Sequence, residues 1–114
     1  VENPKRGEME LNLGGKTYKA RVTLDAIMKI ETSCGLGIVK VLSRLTEGEL
    51  TTSQVCSTIL PVIRGGGNDF SMKDVQEIVW DAGLANSMRA VGEILAIALT
   101  GGQDEGNEKK AVNG

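Results

Sequence analysis

A chain of 114 residues with 40% hydrophobic and 25% charged side chains fits one globular domain with one core, which excludes global disorder and any need for metal or disulfide staples. The formal net charge is −2, and the 13 Lys and Arg are spread thinly from Lys5 to Lys110. That distribution speaks against nucleic-acid binding, which needs cations clustered on one face.

Residues 1–6 show no periodicity and are read as a flexible arm ahead of a single domain over residues 7–100. The first readable segment follows. Glu8-Met9-Glu10-Leu11-Asn12-Leu13 alternates polar and apolar, and so does Lys16-Thr17-Tyr18-Lys19-Ala20-Arg21-Val22. Gly14-Gly15 between them suits the positive φ angles of a two-residue hairpin turn. Folding about that turn sets Leu11 opposite Tyr18 and Met9 opposite Ala20 on one face. Glu10 then meets Lys19 and Glu8 meets Arg21 on the other, each pair complementary in charge. A slip of one residue would scramble both faces at once. A two-stranded hairpin alone is marginal in water, so its apolar face must pack on what comes next.

What comes next is helical. Thr23 is placed to cap a helix that carries Leu24, Ile27, Met28 and Ile30 inward, with Cys34 at its end; Val22 and Ile27 make a hydrophobic staple. Gly35 and Gly37 break the chain. A shorter helix puts Ile38, Val41, Leu42 and Leu45 on one stripe and ends by Gly48. Thr51-x-x-Gln54 matches a capping box with Leu50 and Val55 as its staple. That helix turns Val55, Ile59 and Ile63 inward beside Cys56 and Leu60. Pro61 lies inside the pattern and is expected to bend or end the helix, and Gly65-Gly66-Gly67 to stop it. Ser71-x-x-Asp74 repeats the box and starts a helix with Val75, Ile78, Val79 and Ala82 inward and Gly83 at its end. The last helix, over about 84–100, has Leu84, Met88, Val91, Leu95 and Ala98 as its stripe. Ile94 and Ile97 widen it, which implies contact on more than one side. From Gly101 onward the chain has too little apolar content to offset the entropy of ordering and is read as a disordered tail over 101–114. The fold class is therefore α+β: an N-terminal β-hairpin packed on about five short helices, mostly helical.

The chemistry of an active site is missing. There is no histidine, so the commonest general base is absent. Asp25 and Glu31 fall on different faces of their helix and read as solvated charges. Cys34 and Cys56 lie in apolar helical patterns and read as buried reduced thiols, although sequence alone leaves a disulfide between them open. Without histidine or a C-x-x-C spacing a metal site is not expected. Gly35-Leu36-Gly37 follows a helix, with Lys40 where a dinucleotide fingerprint needs glycine; Gly65-Gly66-Gly67 lacks the Lys-Ser or Lys-Thr of a phosphate loop. Both read as helix stops. The expectation is a non-enzymatic protein without cofactors. No secretory signal is visible, and the longest apolar stretch, Ala90 to Leu99, is about half a membrane span. A soluble, cytoplasmic protein with no membrane partner is the expectation. Trp80 lies off the stripe of its helix. It is either packed at the edge of the core or an exposed anchor for a protein partner, and it is the candidate partner-binding residue.

Pro4-Lys5-Arg6-Gly7-Glu8, the strand ending Leu13-Gly14-Gly15-Lys16-x-Tyr18, and Thr23-Leu24-x-Ala26-Ile27-x-x-Ile30-Glu31 come in a distinctive order. The glycine break at Gly35, a short apolar helix and a Leu-Thr-Thr-Ser helix start follow. This arrangement resembles the small tail assembly proteins of gene transfer agents and related prophages of α-proteobacteria, which are classed with phage tail assembly chaperones. The resemblance covers roughly residues 4–100. It implies a role in tail morphogenesis through binding phage-like tail proteins, with the tape-measure protein as the partner to expect, and a tendency to self-associate. It supplies no catalytic residues. The alternative is a small structural component retained in the finished tail or connector. A DNA-binding regulator ranks last, because the Thr51–Arg64 helix has only Arg64 and the Ser71–Ala82 helix only Lys73 as cations.

Overall fold

The computed structural model describes residues 6–101. Two antiparallel strands, β1 (Glu8–Leu13) and β2 (Lys16–Arg21), precede five helices: α1 (Leu24–Cys34), α2 (Ile38–Thr46), α3 (Thr52–Gly65), α4 (Met72–Ala82) and α5 (Leu84–Thr100). The α+β class expected from the pattern holds. The arm over residues 1–5 and the tail beyond Gly101 lie outside the described residues.

The hairpin register is the one that polarity requires. Leu11 pairs with Tyr18, Met9 with Ala20, Glu10 with Lys19 and Glu8 with Arg21. Gly14 and Gly15 have φ of 63° and 80°, so both turn residues occupy a region costly for a side chain. Leu11, Leu13 and Ala20 are buried. The outward charges are matched in register but form no ion pair; Arg21 Nε instead donates to Arg6 O at 3.0 Å. Arg6 in turn donates from Nε to the Gly101 carbonyl at 2.7 Å, joining the entry to β1 with the end of α5.

The helix starts are also as expected. Thr23 Oγ1 accepts from Ala26 N. Both capping boxes close: Thr51 and Gln54 exchange backbone-to-side-chain bonds of 3.0 and 3.1 Å, and Ser71 and Asp74 exchange bonds of 2.8 and 3.1 Å. Each satisfies two backbone donors that a helix start leaves orphaned.

Helix α3 is the centre of the domain, packed against α1, α4, α5 and β2. Val55, Ile59, Val62 and Ile63 are at most 1% exposed. This explains why Pro61 does not end the helix, which runs on to Gly65. Proline inside a helix costs about 3 kcal/mol. Burying Val62 and Ile63, just past it, returns about 1.5–3 kcal/mol each. The packing wins.

Two helices turn a different face inward from the one their large side chains suggest. On α1 the buried residues are Ala26, Ile30 and Cys34, whereas Leu24 and Met28 are 72% and 57% exposed. This buried stripe faces α3, where Cys34 Sγ lies 3.7 Å from Gln54 O and Thr58 Oγ1. On α5 the buried set is Ser87, Ala90, Val91, Ile94 and Leu95, with Met88 and Ala98 only half-buried and Leu84 exposed. Ser87 tolerates burial because its hydroxyl donates to Gly83 O at 2.9 Å. Contacts from α2, α3, α4 and β1 give α5 the several-sided burial that its wide stripe implies.

Candidate protein-interaction surface

Cys34 and Cys56 are both free and buried, so the disulfide left open by the sequence does not form. Cys34 Sγ lies 3.7 Å from Thr58 Oγ1 and from Gln54 O. Burial pushes its thiol up, and the Thr58 hydrogen bond opposes this only in part. Burial pushes the Cys56 thiol up as well. Neither sulfur has the lowered pKa of an activated thiol. Among the described residues no three His, Cys, Asp or Glu side chains come close enough to hold a metal. Asp25 pairs with Lys29 at 3.1 Å on the surface, while Glu31 accepts from Ile38 N at 2.9 Å. The two acids thus have separate structural roles.

Over the outer face of the hairpin lies a shallow groove of about 340 Å³, where Glu8, Glu10, Lys19 and Arg21 meet Gly65 and Gly66. Its charges are divided by strand, acidic on β1 and basic on β2, and Met9 and Ala20 complete its lining. No described side chain forms a concave apolar pocket there for a small molecule.

The other surface feature is apolar. Trp80 is 84% exposed, so it is not an edge-of-core residue. Val75, Val79 and Ala82 hold α4 against the core. At 100° per residue, position 80 then falls on the opposite, solvent side. Leu84, 45% exposed, follows just beyond Gly83, where α4 and α5 meet in a bend of 118°. Leu24 and Met28, four residues apart, share the outer face of α1. Val39 on α2 and Leu99 on α5 are also exposed. Reasoning from the sequence singled out Trp80 but assigned Leu24 and Leu84 to the core. The competing signal was present in α1, where Ala26, Ile30 and Cys34 form a second stripe at helical spacing. No single described helix is long and apolar enough to cross a membrane.

The described region therefore presents exposed apolar side chains on a helical surface. A family profile described as "phage tail tube protein, GTA-gp10" matches residues 6–101. The chain belongs to that family. No curated protein and no solved structure gives a significant match. The match runs from Arg6 to Gly101, the two residues joined by the 2.7 Å hydrogen bond, and so takes in the hairpin and all five helices. The chain is a phage-like tail protein, in line with the broader part of the resemblance. The description names the tail tube and not an assembly chaperone.

Proposed function

We propose that this tail protein acts during tail assembly as a chaperone, by binding other tail proteins and without catalysis. The observation that carries the reading is Trp80, the single tryptophan of the chain, left 84% exposed on α4. Covering an indole removes enough apolar area to contribute on the order of 3 kcal/mol before ordering costs. Trp is also the residue most enriched among interface anchors. A long helical tape-measure protein, with apolar stripes to cover before the tube surrounds it, is the partner that the resemblance suggests. The apolar stripe of such a helix laid against Trp80 is the matching contact. Binding then takes place in the cytoplasm, where tails assemble.

A second reading, that the chain stays in the finished tail as a structural subunit, is favoured by the family's tail-tube description. It uses the same exposed side chains for contacts between copies or with neighbouring tail proteins.

One experiment separates the two. The chain is co-expressed with the tape-measure protein of the same particle and captured by an affinity tag, and purified particles are probed for the chain. Co-purification with a solubilised tape-measure protein, and absence from particles, is the expected result. Stoichiometric presence in particles, with no capture of the tape-measure protein, would establish the structural reading instead.

A further inference from the structure

The two edges of the hairpin differ. In an antiparallel pair, residues that exchange backbone hydrogen bonds alternate with residues that do not. Val22 N donates to Gly7 O at 2.8 Å. By alternation along the register, Met9–Ala20, Leu11–Tyr18 and Leu13–Lys16 are the bonded pairs. The backbone groups of Glu8, Glu10 and Asn12 on β1, and of Thr17, Lys19 and Arg21 on β2, therefore point away from the ladder.

The end of α3 covers the β2 edge. Asn68 Nδ2 donates to Lys19 O at 2.7 Å. Gly65 and Gly66 approach so closely that a Cβ would stand 2.7 Å from Arg21 O and 2.2 Å from Lys19 O. On the β1 edge no described residue hydrogen-bonds the backbone of Glu8, Glu10 or Asn12. Those three residues are exposed. Among the described residues this edge is open, and an open strand edge is a template for another strand.

We propose that the outer edge of β1 takes a third strand from a partner protein, an extended segment with Lys or Arg at alternate positions. This surface is separate from Trp80, and the proposal holds for either reading of the chain's role. The charge on the edge selects the occupant. Glu8 and Glu10 are two residues apart on one face, and β2 already answers them on one flank with Lys19 and Arg21. A strand added on the open flank sits about 4.8 Å away, with its outward side chains beside Glu8 and Glu10. Cations there repeat the β2 arrangement; carboxylates there repel.

Two other occupants fit less well. A second copy pairing β1 with β1 about the middle of the strand sets the two Glu10 carboxylates opposite one another, and the end of α3 stands in the way of the β2 edge of a second copy. The chain's own residues 102–114 have their cations at the adjacent positions Lys109 and Lys110. In a strand these point to opposite faces, so only one could meet the acidic pair.

The test uses the full chain and three synthetic octapeptides: alternating Lys-Val, alternating Glu-Val, and the Lys-Val peptide N-methylated on the backbone groups that would face β1. Affinity and residue-resolved amide hydrogen exchange are measured. The Lys-Val peptide is expected to slow exchange at Glu8, Glu10 and Asn12. The Glu-Val and N-methylated peptides should not. The double variant E8K/E10K is expected to weaken Lys-Val binding on the order of tenfold, from two cross-strand pairs turned repulsive. Binding of the Lys-Val peptide with unchanged exchange at the three amides, or equal binding of the N-methylated peptide, overturns the proposal in favour of charge attraction alone. Protection of these amides in the free monomer assigns the edge to the chain's own residues, and protection that grows with dimer formation assigns it to a second copy. Either result also overturns it.

Discussion

Glu31 accepts a hydrogen bond at Oε2 from the Ile38 backbone N–H at 2.9 Å, so a side chain near the end of α1 caps the start of α2. The residue in the N-cap position of α2, Gly37, has no side chain to do this. The carboxylate also sits at the positive end of the α2 dipole. Replacing it removes both effects. Glu31→Ala is expected to destabilise the domain by about 1 kcal/mol, the usual cost of a lost N-cap, and Glu31→Gln by less, because an amide oxygen still accepts. Urea midpoints at unchanged m-value measure the difference.

The Ser71–Asp74 capping box makes stability depend on pH. The Ser71 backbone N–H, bonded to the Asp74 carboxylate at 2.8 Å, is the main cause that holds this carboxyl below its ordinary value. A group whose folded-state pKa is depressed contributes stability above its unfolded value, near about 3.9 for aspartate. That contribution is lost as pH falls through the folded-state value. Asp74→Asn keeps an acceptor oxygen but does not titrate. Its stability deficit against the wild type is expected to be full at pH 6 and to shrink toward pH 3. Denaturant midpoints across that range would show a pH-independent deficit if the carboxylate were not responsible.

Gly66 holds α3 against the hairpin. A Cβ there would meet the Lys19 carbonyl and the Ala20 nitrogen at 2.2 and 2.5 Å, and both are backbone atoms. They cannot yield without moving β2. Gly66→Ala is expected to cost about 1–3 kcal/mol, the range for overpacking a tight contact. Gly37→Ala, where the nearest atom is Glu31 Oε2 at 3.9 Å, meets no such clash and should cost at most about 1 kcal/mol, from the poorer fit of Ala at an N-cap. Thermal and urea unfolding of the pair tests the contrast.

Trp80 offers a spectroscopic handle because it is the one tryptophan. Its emission in the native protein is expected at the red wavelengths of a solvated indole, with a shift to the blue when a tail protein covers it. Trp80→Ala should leave stability within about 0.5 kcal/mol, as for other surface substitutions, and weaken capture of the partner. An unfolding midpoint that drops by several kcal/mol equivalents would show a structural role and remove Trp80 from the binding surface.

The parts legible in advance are those governed by neighbours along the chain. The Leu11–Tyr18 and Glu10–Lys19 pairings follow from alternation around a two-glycine turn. Thr51 with Gln54 and Ser71 with Asp74 follow from helix starts that must satisfy their own backbone donors. The exposed surface was less legible. Leu24, Met28 and Leu84 are apolar and at helical spacing, yet they face solvent. The Glu31–Ile38 cap spans a glycine break that neither helix pattern reveals on its own.

By itself, then, the sequence determined the α+β class, the hairpin register, the helix starts and the thiols' place in apolar patterns, because each depends on interactions within a few residues. The tertiary structure alone decided how α1 and α5 rotate and that α3 continues past Pro61. It also decided that Trp80 faces solvent and that the end of α3 covers one hairpin edge. Those outcomes depend on which residues let two elements approach closely. Gly65 and Gly66 against β2 succeed by being small, and hydrophobic periodicity along a single helix or strand carries no measure of that.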